Sequence, residues 1–246
     1  MSKTYEVTAS ASKAETEIIL CEAIGRAGVP ASRFLADLKK IPSAHRLLLR
    51  IHSPGGSVLD GNAIFNAIKS HPGGVTTQID GLAASMAAVL AIAGSPARMA
   101  SNGLLMIHNV SACAEGDAAE MRRTAALVDK VQETINAALT ARTRQPRAKI
   151  IEMMDAETWL DATEAKALGF IDQITGEQKL AASFDLSRFS HPPAPAAFHN
   201  IVAAFQRHRD HGESIASQYL AIKNPDARFA FFQKHKHQLY VHCSKP

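Results

Sequence analysis

Residues 46–61, RLLLRIHSPGGSVLDG, contain the stretch of sequence that decides the fold. The stretch begins with a continuous apolar run, which is typical of a strand buried on both faces. The SPGG sequence of residues 53–56 breaks that run sharply. A helix is then predicted over residues 58–69. A buried strand that turns directly into a helix indicates an α/β protein, in which helices cover a largely parallel sheet.

The same alternation of strand and helix continues on both sides of this stretch, which strengthens the prediction of an α/β fold. Further strands are predicted at residues 17–22, 74–80, 104–107 and 170–174. Further helices are predicted at residues 31–40, 85–93, 117–141 and 161–168, with a short helix that opens at Pro146. Asp161 and Glu164 have the spacing of a capping box at the start of the last helix.

Composition excludes several classes of protein. The 246 residues are 46% hydrophobic and 20% charged, as in an ordinary globular protein. No apolar run approaches the roughly 20 residues that a membrane-spanning helix needs, and residues 1–11 are too polar for a secretory signal. The three cysteines are scattered, without the spacing of a disulfide framework or a metal site, which favours a reducing cytoplasm.

Charge divides the chain into a body, a linker and an extension. Residues 1–176 hold 18 basic and 18 acidic side chains, whereas residues 177–246 hold 9 and 5, with 7 of the 11 histidines. We expect a folded body at residues 1–176, a linker containing prolines and alanines at 177–198, and a mainly helical or disordered extension at 199–246. The extension lacks the spacing of a zinc site and the groove of a nucleic-acid site. We therefore predict no metal, no cofactor and no nucleic-acid partner.

Ser85 and His108 are the residues whose chemistry fits together. A serine hydroxyl becomes a strong nucleophile only when a neighbouring base takes its proton. Ser85 lies among small residues before a predicted helix, and His108 ends the predicted strand at residues 104–107. If the two strands are neighbours, the two side chains meet. Taken separately, Ser85 can be a simple helix N-cap, and His108 can be a structural hydrogen-bonding residue.

Two backbone N–H groups can stabilise the negative charge that develops on a substrate carbonyl. The N–H of Met86 follows the serine, and Gly56 allows the backbone to approach a carbonyl closely. The GxSxG turn of α/β-hydrolases is absent, because alanines flank the serine at positions 83 and 87.

Four motifs in this order resemble the ClpP peptidase superfamily: SPGGSVLDG at 53–61, DGLAASMAA at 80–88, LLMIHN at 104–109 and ETWLDATEAKALGFID at 157–172. The resemblance covers about residues 5–176 and is strongest to the phage and prophage head maturation proteases. It implies an α/β fold of stacked ββα units, shared with the crotonases, and assembly into homo-oligomeric rings that enclose the active sites.

The resemblance also implies roles for individual residues. Ser85 is the nucleophile, His108 is the base, and the N–H groups of Gly56 and Met86 form the oxyanion hole. An extended peptide substrate is expected to pair with an exposed strand edge near Gly55 and residues 109–113, beginning with Asn109.

The third member of the triad departs from the family pattern. The family has an aspartate two residues before an aromatic residue, and here Glu157 stands two before Trp159. The extra methylene moves the carboxylate by about 1.5 Å. Asp155 is the nearest alternative, and an absent acid is the third possibility.

The function implied is an ATP-independent serine endopeptidase that cleaves capsid or scaffold proteins during phage head maturation. Its expected location is the bacterial host cytoplasm or the prohead, without a membrane anchor. The alternatives are a ClpP-type subunit that works with a AAA+ unfoldase, a catalytically inactive ring protein, and a crotonase-type acyl-CoA enzyme.

Overall fold

The computed structural model describes residues 5–9, 14–178, 184, 186 and 189–192. The described strands are Tyr5–Ala9 (β1), Glu15–Leu20 (β2), Arg46–Ser53 (β3), Val75–Ala84 (β4), Ala97–Ala100 (β5), Leu104–Ile107 (β6), Thr158–Leu160 (β7) and Gln173–Thr175 (β8). The described helices are Ala31–Leu38 (α1), Val58–Ser70 (α2), Met86–Ala91 (α3), Ala118–Thr143 (α4), Arg147–Asp155 (α5) and Ala162–Ala167 (α6). This mixed α/β architecture confirms the predicted fold class and is that of the ClpP fold.

One sheet carries the fold, and its central strands are the most apolar. The strand order is β1-β2-β3-β4-β5-β8. All of these neighbours pair in parallel except β1 and β2, which are antiparallel. Every residue of β4 is buried, as expected for a strand covered on both faces. The apolar residues of β2, β3 and β4 form the core together with the helices that pack on them.

The long strand β4 pairs with different neighbours along its length. Its first half pairs with β5, from Thr77 to Ile79, and its second half pairs with β6, from Leu82 to Ala84. Its pairing with β3 also shifts register after Ile51. The strand β6 in turn pairs antiparallel with β7. This divergence carries the end of β4 away from the main sheet, towards β6 and β7, where the candidate site lies.

The observed strands differ from the predicted ones at several places. β4 continues through Ala84, beyond its predicted end at residue 80, because residues 82–84 pair with β6. The strand predicted at residues 170–174 forms only at β8, because Phe170 and Ile171 are buried in the core before it. The strands β1, β5 and β7 were not predicted.

The capping box predicted for α6 is confirmed, with Asp161 and Glu164 bonded reciprocally. Most of the linker predicted at 177–198, and all of the extension predicted at 199–246, lie outside the described residues. Among the residues that the structure describes, no helix is long and apolar enough to cross a membrane. The same residues contain no cluster of three or more potential metal ligands.

Candidate active site

Ser85 occupies a tight turn between β4 and α3. Its backbone has φ 57° and ψ −125°, a combination that a residue with a side chain rarely adopts. The Ser85 N–H donates to the carbonyl oxygen of Met106 at 2.8 Å, which ties the turn to β6. Ala84 and Ala87 are fully buried, whereas Ser85 is partly exposed. A strained turn that exposes one hydroxyl is typical of a nucleophilic serine.

The pairing of β4 with β6 explains why His108 lies beside Ser85. The two strands are parallel and Ala84 is opposite Met106. The residues that follow them therefore lie side by side at the carboxyl ends of the strands. His108 Nε2 lies 2.9 Å from Ser85 Oγ. With Nε2 unprotonated, the hydroxyl donates to the imidazole, and the proton can move to that nitrogen as the oxygen attacks a carbonyl.

The register of β6 and β7 brings Glu157 to the same edge. Ile107 pairs with Thr158, so continuing the antiparallel register by one residue sets Glu157 opposite His108. Glu157 is only 8% exposed and has φ 47°, a left-handed conformation at the start of β7. Residues opposite one another on antiparallel strands have Cβ atoms about 4.5–5.5 Å apart, which is within reach of a carboxylate.

Three N–H groups donate to the Glu157 carboxylate. His191 N–H donates to Oε1 at 2.6 Å and Ser190 N–H donates to Oε2 at 2.8 Å. The indole Nε1–H of Trp159 donates to Oε1 at 3.3 Å. An ionised carboxylate offers about four acceptor sites, so these donors leave capacity for the imidazole.

Opposing effects act on the pKa of Glu157. Burial acts to raise it, whereas the N–H groups of His191 and Ser190, the Trp159 indole and the positive charge of His108 lower it. The pKa lies below its ordinary value of 4.5 as a result. At neutral pH Glu157 is therefore ionised, which is the state that stabilises an imidazolium.

Asp155, the alternative acid, has a different environment. It is exposed at the end of α5, and its Oδ1 accepts a hydrogen bond of 2.7 Å from Asn109 Nδ2. The geometry therefore favours Glu157 over Asp155 as the partner of His108. Asp155 instead anchors Asn109, which was predicted to contact substrate.

The two N–H groups predicted for the oxyanion hole flank the serine turn. Met86 is the first residue of α3, so its N–H has no acceptor within the helix. Gly56 lies in a parallel β-bridge with Ile24. The residues on either side of Gly56 make its hydrogen bonds: the Ile24 N–H donates to the carbonyl oxygen of Gly55, and the Ser57 N–H donates to the carbonyl oxygen of Ile24. Within the described part of the chain, neither the Gly56 nor the Met86 N–H donates to another backbone group.

Gly55 lies beneath the serine turn. It has φ 82°, and a Cβ atom on it would lie 2.4 Å from the carbonyl oxygen of Ala84 and 2.9 Å from Ser85 Cβ. Its N–H donates to Ser53 Oγ at 3.2 Å. Gly55 was predicted to contact substrate; its contacts are with the backbone that supports the nucleophile, and Gly56 is the glycine that lines the cleft.

A family model described as Clp protease matches residues 4–178. The chain belongs to the Clp protease family. Clp proteases are serine peptidases that act on protein substrates and typically form oligomeric rings. The match ends before the described residues 184, 186 and 189–192.

A cleft opens beside the Ser85 and His108 pair of this Clp protease. Its apolar wall comes from α2, α3, α4 and α5, with side chains contributed by Val58, Val89, Ile135, Leu139 and Met154. Its polar rim includes Asn109 and Ser111. An apolar cleft next to a nucleophile can receive one side chain of a bound peptide.

Several residues of this Clp protease site were missed by the sequence analysis. Gln132 on α4 accepts a 2.6 Å hydrogen bond from the N–H of Val110, which fixes the segment after His108. Phe189 packs edge-on against both the His108 and Trp159 rings, with centroid separations of 5.6 Å. The sequence analysis used Trp159 only to align Glu157 with the family pattern, and no local pattern pointed to Gln132 or Phe189.

Proposed function

We propose that this chain is a serine endopeptidase in which Ser85 is the nucleophile, His108 is the general base and Glu157 orients the imidazole. The observation that carries the proposal is the 2.9 Å contact between Ser85 Oγ and His108 Nε2 beside an open cleft. Support for Glu157 comes from its burial and its register opposite His108.

The reaction follows from these roles. Ser85 Oγ attacks the carbonyl carbon of the scissile peptide bond while its proton passes to His108 Nε2. The negative charge on the carbonyl oxygen is stabilised by the N–H groups of Gly56 and Met86. His108 then gives the proton to the leaving amine, which leaves an acyl-enzyme on Ser85. A water molecule, deprotonated by His108, hydrolyses that ester and regenerates the serine.

The proposal extends to the kind of substrate. Because Val58, Ile135 and Leu139 give the cleft an apolar wall, we propose that it binds an uncharged, medium-sized side chain on the amino side of the cut. Placing a charged group in an apolar cleft carries a desolvation penalty. Peptides with leucine or methionine at that position are therefore expected to exceed matched aspartate or lysine peptides by about 100-fold in kcat/KM.

We further propose that the substrates are capsid or scaffold proteins, cut without ATP during phage head maturation. Support comes from sequence features of that branch: Ser57-Val58 after SPGG, Glu157-Thr158 before Trp159, and residues that continue beyond the family match. A ClpP-type subunit fed by a AAA+ unfoldase and an inactive ring are the alternatives that the tests below separate.

Active-site labelling tests the catalytic assignment. The purified chain, treated with a fluorophosphonate, is expected to gain one adduct, which peptide mapping assigns to Ser85. Ser85→Ala is expected to abolish labelling, and His108→Ala to slow it by several orders of magnitude. A wild-type chain that stays unlabelled, or labels at another serine, contradicts the proposal.

Co-expression with the capsid and scaffold proteins of the same genome tests the biological role. Cleavage products that are absent with Ser85→Ala, and that form in purified mixtures without ATP, support head maturation. Cleavage that requires an added unfoldase and ATP favours the ClpP-type alternative.

A further inference from the structure

The residues just beyond the family match return to the catalytic site. We name Phe184, Leu186 and residues 189–192 the C-terminal strap. Phe189 is 6% exposed and packs in a small apolar cluster with Leu82, Ala84 and Met106. A turn bond from Phe189 N–H to the Leu186 carbonyl oxygen at 3.0 Å shapes the strap before it reaches Glu157.

Both oxygens of the Glu157 carboxylate are held by consecutive backbone N–H groups of the strap. Ser190 binds Oε2 and His191 binds Oε1. Hydrogen bonds to an ionised acceptor are about twice as strong as those between neutral groups. Because the two bonds reach the two different oxygens, together they fix the rotation of the carboxylate as well as its position.

The strap also contacts the general base. The Phe189 ring lies edge-on to His108 on one side and to Trp159 on the other. The Trp159 indole itself donates to Glu157. Phe189 therefore borders the imidazole, and the next two residues of the strap, Ser190 and His191, bind the carboxylate that must orient it.

We infer that the C-terminal strap is a positioning element of the active site, in which Phe189 restrains the His108 ring while the Ser190 and His191 N–H groups orient the Glu157 carboxylate. This inference rests on the proposed function. It makes catalysis depend on residues beyond those that the family model matches.

A matched pair of variants at position 191 isolates the backbone hydrogen bond. His191→Pro removes the N–H donor, whereas His191→Ala keeps it and removes only the imidazole. We expect His191→Pro to lower kcat for a peptide substrate at least about tenfold with KM changed less than about twofold, because a misoriented triad affects the chemical step. Phe189→Ala is expected to act in the same direction. His191→Ala keeps the N–H donor and is expected to retain a clearly higher kcat than His191→Pro.

The pH profile separates positioning from general loss of structure. Ionisable side chains in this neighbourhood include Glu157, from the turn before β7, Asp155, at the end of α5, and His191, on the strap itself. A carboxylate held near His108 stabilises its protonated form, so loosening it is expected to move the acidic limb of the kcat/KM profile of His191→Pro to lower pH. Asp155→Asn and His191→Ala control for the other two groups.

Trp159 gives a readout that needs no activity, because it is the only tryptophan in the chain. In His191→Pro and Phe189→Ala we expect a red-shifted emission and faster quenching by acrylamide, with His191→Ala unchanged. Unchanged fluorescence in both disruptive variants would overturn the docked strap. Altered fluorescence with wild-type kcat and pH profile would overturn its positioning role. A wild-type chain that does not label at Ser85 would overturn the proposed function, and with it any catalytic role of the strap.

Discussion

At the scale of single residues, Ser85 has a strained backbone conformation that sets the direction of its side chain. A residue held in such a sparsely populated conformation costs about 1–3 kcal/mol, and here the Met106 carbonyl and the buried alanines on either side enforce it. The conformation directs Oγ towards His108 and leaves the Met86 N–H at the open end of a helix. The local strain thus serves the geometry that acyl transfer requires.

The identity of the acid is decided by one pair of variants. In Glu157→Gln, one carboxylate oxygen becomes an NH₂ group, which faces a strap N–H and can no longer stabilise a charged His108. We expect kcat/KM to fall about 10²–10⁴-fold. Asp155→Asn keeps an acceptor for Asn109 and is expected to stay within about threefold of the wild type. Steady-state peptide cleavage measures both, and a larger loss in Asp155→Asn would contradict the assignment.

Two glycines near the nucleophile should differ sharply in tolerance. A Cβ at Gly55 meets the Ala84 carbonyl and the Met86 nitrogen, which are backbone atoms, and Gly55 has φ 82°. The three atoms nearest to a Cβ at Gly61 belong instead to the side chain of Met86, with Cγ the nearest. We therefore expect Gly55→Ala to lose labelling of Ser85 and about 1–3 kcal/mol of stability.

Gly61→Ala is the matched control for Gly55→Ala. It is also expected to lose stability, because the buried Met86 side chain must shift, but to keep its labelling within about tenfold, since the backbone beneath Ser85 is not displaced. Labelling kinetics and thermal unfolding measure both effects. Equal tolerance of the two substitutions would contradict the role given to the packing of Gly55 under the serine turn.

At the scale of elements, the site is assembled by the pairing of three strands. β4 carries Ser85, β6 carries His108, and the antiparallel pairing of β6 with β7 adds Glu157. Ser85 and His108 could be named as candidates from the sequence because Ser85 lies among small residues before a predicted helix and His108 ends an apolar strand. The pairing of β6 with β7 could not be predicted, since β7 has only three residues and no period.

The strap shows where reasoning from sequence stops. Ser190 and Glu157 are 33 residues apart in the chain, and the bond between them uses a backbone N–H that any residue except proline supplies. Residues 190–197, with three prolines, indicated an extended linker. Nothing local distinguishes a linker that leaves the body from one whose first residues dock on it.

The strap is expected to undock in acid. The pKa of Glu157 is lowered in the folded chain, so its ionisation stabilises the docked state above its unfolded pKa, and that contribution is lost as the pH falls through the folded value. We expect Trp159 emission to shift to the red below about pH 4.5. Glu157→Gln should lack this transition, and far-UV circular dichroism at the same pH separates undocking from global unfolding. A transition that survives in Glu157→Gln would contradict the linkage.

At the scale of the whole molecule, the residues that the family model matches contain a complete sheet and core without the strap. The sheet, its core and all six described helices lie within residues 5–178. The strap adds a second, smaller apolar cluster around Phe189 and reaches the active site from outside that core. We therefore expect folding of the body and orientation of the Glu157 carboxylate to be separable, which two truncations can test.

A chain that ends at residue 192 keeps every described contact of the strap, whereas one that ends at residue 178 keeps the family region alone. We expect the chain that ends at residue 192 to label at Ser85 at the rate of the full chain. The shorter one should fold with the same circular dichroism but label at least about tenfold more slowly, because its carboxylate has lost two oriented donors. Adding a peptide of residues 179–192 should restore part of the rate. Equal labelling by the two truncations would show that the family region positions its own triad, and that the strap is only a covering.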